Sequence, residues 1–195
     1  MPDVLTSGSV DVAGTMIGAV SREDLLPRPT VAAGQLLVAL RSSGLHTNGY
    51  SLARKVVSGE DLGQALPGGE GETVGEALLE PHRSYLGPLS AALDQKLIQA
   101  LAHITGGGII DNLPRVLPEG CGAEVRTDSW QWPPLFTHLA NLAGLTPEES
   151  HQIFNLGVGM IAIVNPSDLD AVQQAIPEPS TVIGEVVSGD GVTLI

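Results

Sequence analysis

At 195 residues the chain is long enough for one well-packed domain with an appended segment, and 43% apolar content argues against disorder despite 24 glycines and 14 prolines. Nine Lys and Arg against 22 Asp and Glu leave a formal charge of −13, which argues against nucleic acid and anionic membranes as partners, and 3% aromatic content removes base-stacking platforms. The single Cys121 excludes an internal disulfide and a multi-cysteine metal site, fits a reducing cytoplasmic setting, and reads as an inert buried thiol. No apolar run approaches a membrane span, and the first residues carry no leader pattern, so a soluble protein is expected.

Residues 11–20 alternate loosely between larger and small side chains and predict a strand, and residues 21–30, with two prolines and mixed charge, predict a linker. The apolar run at 35–40 predicts a buried strand. It leads through Ser42, Ser43, Gly44, Leu45, His46, Thr47, Asn48 and Gly49 into a helical pattern with Leu52, Val56 and Val57 apolar. Residues 59–71, with five glycines and several acids, predict a mobile surface loop that does not pack. Helices are expected at 73–80 and 85–99, broken at Pro81, the second burying a stripe of Leu86, Leu89, Leu93 and Leu97.

The short apolar segment 100–104 runs into Thr105, Gly106, Gly107 and Gly108, and residues 109–117 then predict a helix, so a strand, loop and helix plan occurs twice. Further on, 123–127 predicts a strand and 133–143 a helix with Leu135, Leu139 and Leu142 on one face. Thr146, Pro147 and Glu149 form a strong helix start. A strand at 158–164, a helix at 167–176 capped by Ser167, and a closing hairpin from 181–187 and 191–195 complete the series. Strands alternating with helices, some joined by connections too short for parallel crossovers, predict an α+β fold with a mixed sheet layered by helices.

Three glycine-bearing segments stand out chemically. A helix start after a glycine loop offers free N–H groups and the positive end of a macrodipole, and Ser42, Ser43, Thr47 and Asn48 add donors, so residues 42–49 read as a phosphate cradle. The alternative is that Thr47 or Asn48 merely caps the helix while Gly44 and Gly49 turn the chain. The triple glycine at 106–108 calls either for close approach of a ligand or for two backbones passing closely. His46 is a candidate phosphate contact or proton carrier, whereas His103 reads as a hydrogen-bonded core residue. Asn155, Leu156, Gly157, Val158 and Gly159 read most simply as a helix end followed by a strand glycine. The sequence contains no nucleotide-binding lysine loop, no nucleophile elbow and no histidine pair at metal-ligand spacing, so no metal held by the protein is expected.

In order along the chain, SSGLHTNGYSLARK, HITGGGIIDNLPRVLP, SWQWP and FNLGVGMIAIV strongly resemble phosphoribosylformylglycinamidine cyclo-ligase, or aminoimidazole ribonucleotide synthetase, of purine biosynthesis. The resemblance extends over the whole chain but only over the C-terminal half of the family. It implies a largely antiparallel sheet in residues 31–195, with residues 1–30 as the last strand and linker of an N-terminal ATP-binding domain. The implied activity is ATP- and Mg²⁺-dependent closure of formylglycinamidine ribonucleotide to aminoimidazole ribonucleotide. ATP and Mg²⁺ would bind mainly through the N-terminal half, which also forms the family's homodimer, so this chain alone is expected to be inactive.

The resemblance assigns substrate or phosphate contacts to Ser42, Ser43, Gly44, His46, Thr47, Asn48, Gly49, Thr105, Gly106, Gly107, Gly108, Asn155 and Gly157, with no assured catalytic base beyond the candidate His46. Two departures stand out: Pro81, His82, Arg83, Ser84 and Tyr85 replace a Pro-Thr-Arg-Ile-Tyr run, and Asp111 stands where Glu is usual. A stand-alone phosphate- or nucleotide-binding regulatory module of the same fold is the alternative.

Overall fold

The structure is a computed structural model that describes residues 14–46 and 48–195. Among these, six strands form one sheet in the order β2-β4-β1-β5-β3-β6, with β1 at Leu36–Arg41, β2 at Ile98–His103, β3 at Cys121–Val125, β4 at Val158–Val164, β5 at Thr181–Ser188 and β6 at Val192–Leu194. All pairings are antiparallel except β3 with β6, as the α+β reading requires.

The central strands are apolar on both faces because helices cover both. On one side Val38, Leu40, Ala162 and Val164 pack against α3 (Leu86–Asp94) and α7 (Leu169–Ala175) through Leu89, Ala92 and Val172. On the other, Leu37, Ala39, Ile161 and Ile163 pack with Ile109 of α4 (Gly108–Asn112) and with Leu113 in the 3-10 turn that continues it. A separate core joins α1 (Tyr50–Val56), α2 (Val74–Leu79), α5 (Pro134–Ala143) and α6 (Pro147–Ile153) around Phe136, Leu139, Phe154 and Leu156. The expected capping box at Thr146 and Glu149 is present, and Thr73 with Glu76 forms a second one at α2.

Several expectations fail for physical reasons. Residues 11–13 of the first expected strand lie outside the described residues. Residues 14–20 pair with no described strand, and Met16 and Ile17 are 97% and 93% exposed; a strand without a neighbour leaves its backbone groups unpaired. Residues 28–30 instead dock on β2, where Arg28 donates to the Gln99 and Ile98 carbonyls and Thr30 to the Gln99 side chain. The 59–71 loop packs after all: Leu66 is buried in the helical core and its N–H donates to the Glu72 carbonyl.

The helix expected to reach Gln99 ends at Asp94, because Lys96 takes a left-handed conformation before β2 begins. Leu86, the first residue of α3, is exposed and Leu97 lies outside the helix, although Leu89 is core. Leu142 is likewise exposed at the end of α5. Ser167 does not cap α7; it donates to Asp168 instead. Cys121 is only partly buried. The closing hairpin does not form, since β3 lies between β5 and β6. The turn after β5 crosses the start of β3, where the Gly191 carbonyl comes within 2.8 Å of where a β-carbon on Gly122 would sit.

Candidate functional site

The loop following β1 is held from below by Asn155, which is 3% exposed. Its Oδ1 accepts from the Ser42 hydroxyl and the Gly157 N–H, both at 2.9 Å, and its Nδ2 donates to the Gly44 carbonyl at 2.8 Å. Ser42 N–H adds a 2.8 Å bond to the Gly157 carbonyl. A second buried asparagine, Asn112, ties the triple-glycine loop in the same way. Its Nδ2 donates to the Gly106 and Gly108 carbonyls, and its Oδ1 accepts from Thr105. The two loops meet where Gly106 faces Asn48, whose Oδ1 would lie 3.1 Å from a β-carbon at that glycine.

All three glycine segments therefore converge. Thr47 lies outside the described residues. Among the described residues no side chain caps α1; Gly49, with φ of 76°, stands at the cap position, and Asn48 donates instead to the His46 carbonyl. Ser43 is engaged too, donating to the Pro81 carbonyl and accepting from the Arg83 N–H. The need for glycine at 108 comes from packing: a β-carbon there would collide with the His151 carbonyl, so α4 could not lie against α6. Just beyond the C-terminal end of α6, Trp130 Nε1 donates to the Leu156 carbonyl at 3.0 Å, which places the SWQWP segment behind the Asn155 turn.

The centre of the site is a ring cluster that the sequence pattern does not reveal. His46, in a left-handed conformation and 2% exposed, stacks on His82 with centroids 4.0 Å apart and planes 5° from parallel. His103 tilts against both at 5.6 and 5.1 Å. It is exposed rather than a core residue. One nitrogen from each ring lies within 4.8 Å of the others. The Tyr85 hydroxyl sits 3.0 Å from His46 Nε2 and 3.0 Å from the Arg41 carbonyl oxygen. Space for both rings exists because the β1–β4 register slips past Gly159, where a β-carbon would strike Tyr85 and His46. One guanidinium nitrogen of Arg83 donates to both Glu178 carboxylate oxygens, at 2.6 and 2.7 Å, and the guanidinium lies over the Tyr85 ring, pinning residues 81–85 against the loop.

Burial pushes the His46 pKa down to about 4, helped by His82, His103 and Arg83, with the Ile104 backbone working the other way. Desolvation, then His82, lowers His103 in the same sense, and burial raises Tyr85. His46 and His103 are thus neutral imidazoles near neutral pH, with a weakened hold on a proton. Beside the cluster, Ser42, Ser43 and Gly44 line a cleft of about 590 Å³ whose far wall carries Glu70, Glu72, Glu76 and Glu80, while Gly157 lines a smaller one of about 310 Å³.

His82, Tyr85, Asn112 and the Arg83–Glu178 pair carry more of this geometry than the sequence motifs imply. In the sequence, Arg83 and Tyr85, which survive in the 81–85 run, point that helix start toward the site, whereas the departure at position 82 gives that residue no role.

Comparison with known proteins places this arrangement. The family model described as AIR synthase related protein, C-terminal domain, matches residues 32–195. Phosphoribosylformylglycinamidine cyclo-ligase of Desulfitobacterium hafniense (strain DSM 10664 / DCB-2) is 42% identical over 189 residues, which cover 95% of this chain and 56% of that protein. The chain therefore spans little more than half the length of the curated relatives it matches. The fold is similar to thiamine-monophosphate kinase from Stenotrophomonas maltophilia K279a, with a TM-score of 0.60 and 19% identity over 90% of this chain and 54% of that one. It is also similar to T. maritima PurL complexed with AMPPCP, with a TM-score of 0.54 and 12% identity over 90% of this chain and 25% of that one.

Proposed function

Because the chain belongs to the AIR synthase related family as a C-terminal domain, we propose that it is the C-terminal part of an ATP-dependent cyclo-ligase of purine biosynthesis. It would close formylglycinamidine ribonucleotide to aminoimidazole ribonucleotide together with the N-terminal portion that the longer relatives possess. The observation carrying this reading is the 42% identity to a named cyclo-ligase over 95% of the chain, taken together with the convergence in space of the glycine-bearing loops. Residues 31–195 form the domain in this reading and residues 1–30 the end of the preceding one, which the family match from residue 32 supports. A cytoplasmic enzyme that dimerises through its N-terminal domains completes the proposal; no described helix is long and apolar enough to cross a membrane.

Ring closure needs a held substrate, a phosphoryl donor and exclusion of water. The 42–49 and 105–108 loops supply the first and third. Exposed Gly106 and partly buried Asn48 and Gly49 form a narrow seam against which a ribose phosphate can rest, while Asn112 and Asn155 fix the backbone beneath. His46, neutral near neutral pH, accepts from the Ser43 N–H at 3.4 Å and so helps to hold the 42–49 loop. ATP, when bound, supplies the phosphate that activates the formyl oxygen. Mg²⁺ takes oxygen ligands, and the imidazole cluster does not fit it, so no step passes through magnesium held there.

Mixing this chain with the N-terminal portion of the Desulfitobacterium enzyme tests the reading. ADP release dependent on formylglycinamidine ribonucleotide should occur in the mixture and in neither part alone. A folded, associated mixture without turnover would count against it.

A further inference from the structure

The geometry points to Glu178 as a positioning residue that, acting through Arg83, sets where the ring cluster and the start of the 42–49 loop stand against the seam. Glu178 lies in the turn between α7 and β5, outside every glycine-bearing segment and 95 residues from Arg83 in the chain. Both of its carboxylate oxygens accept from one Arg83 nitrogen, and a second nitrogen of that guanidinium donates to the Arg41 carbonyl at 3.3 Å. Residues 81–85 therefore have two anchors. Ser43 holds the backbone, donating to the Pro81 carbonyl at 2.8 Å and accepting from the Arg83 N–H at 3.1 Å. Glu178 holds the Arg83 side chain from another part of the fold.

The cluster itself hangs on these anchors. His82 and Tyr85 flank Arg83 in sequence and both reach His46, the first by stacking at 4.0 Å and the second through its hydroxyl at 3.0 Å. A shift of the Arg83 backbone moves both contacts at once. The Tyr85 hydroxyl also meets the Arg41 carbonyl that Arg83 holds, so the end of β1, the loop after it and residues 81–85 share one hydrogen-bonded frame. Magnitudes separate positioning from support of the fold. The Arg83 and Glu178 side chains are 26% and 23% exposed, and an ion pair that open to water adds little to stability. A displacement of about 1 Å at a reacting site, by contrast, costs on the order of a hundredfold in rate. Glu178 also balances charge, since Arg83 pulls the Tyr85 pKa down and Glu178 acts against it, while Arg83 depresses His46. The effect on turnover rests on the cyclo-ligase reading; the effect on the rings does not.

The full chain carrying isotope-labelled histidine is compared by NMR as native protein, Glu178→Gln and Glu178→Asp. Of its five histidines, His46 and His82 should shift in Glu178→Gln while His138 and His151 stay in place, and Glu178→Asp should return the signals toward their native positions. The melting temperature should fall by no more than about 4 °C. In the mixture with the N-terminal portion of the Desulfitobacterium enzyme, Glu178→Gln should lower kcat/KM for formylglycinamidine ribonucleotide about tenfold, mostly through KM, with partial rescue by Glu178→Asp. Unmoved His46 and His82 signals overturn the proposal. So do shifts spread over all five histidines with a larger loss of melting temperature, which would make the pair a support of the fold, and so do shifted rings with unchanged kcat/KM. A native mixture without turnover would instead defeat the cyclo-ligase reading, and the imidazole signals with their rescue would then decide this proposal.

Discussion

Asn155 shows how much one residue can hold. It satisfies a hydroxyl, an N–H and a carbonyl from three positions of the site, and its side chain has no access to water that could replace those bonds. Asn155→Ala should cost about 2–4 kcal/mol in urea unfolding, because it leaves buried groups unpaired, whereas a loss under 1 kcal/mol would show that the loop re-forms its bonds elsewhere. His151 carries a pH signature. Burial, with its ring edge-on to Trp130 and Trp132, holds its pKa below the ordinary 6.5, and Glu148 acts in the opposite direction. The unfolded state then takes up a proton that the folded state refuses as pH falls below about 6.5. Stability is complete above that pH and declines until the folded value is passed. Melts at about pH 7 and about pH 5 should show this decline, and His151→Gln should make it shallower, the remainder coming from His46 and His103; an equal slope in both proteins would exclude the assignment. The glycines of the site, with Asn48 and Asn155, were visible in sequence because loops advertise themselves by composition. His82 was not, since nothing local distinguishes a histidine after a proline until the fold sets it on His46.

At the scale of elements, the strands and most helices were legible because both sheet faces are covered and the apolar runs are continuous. Failures cluster where a partner, not a local pattern, decides. Residues 14–20 have strand composition but no described neighbour, and β6 joins β3 because Gly122 lets the turn pass over it. No glycine marks the end of α3, so Lys96 in a left-handed conformation could not be foreseen. Packing of α4 on α6 yields a sharp prediction. Gly108→Ala adds a clash with the His151 carbonyl to a left-handed backbone cost and should destabilise by about 3 kcal/mol or more, whereas Gly144→Ala, left-handed but facing open space, should cost about 1–2 kcal/mol. Equal effects in thermal melts would mean that the close approach does not govern this packing.

For the whole molecule, Met16, Ile17, Val20 and Leu25 are exposed before β1, and the chain covers 56% of the curated relative's length. The sheet and its two covered faces form a scaffold, and the converging loops are one wall of a cleft. The central claim is that this wall works on the cyclo-ligase substrate. The most direct measurement is kcat/KM for ATP-dependent ring closure by the chain mixed with the N-terminal portion of the Desulfitobacterium enzyme, comparing the native sequence with Gly106→Ala. That change sets a methyl group 3.1 Å from Asn48 Oδ1 at an exposed point of the seam. The account predicts turnover by the native mixture and a loss of about tenfold or more on substitution, with thermal stability nearly unchanged. A folded mixture that does not turn over, or turns over equally well with Gly106→Ala, would contradict it.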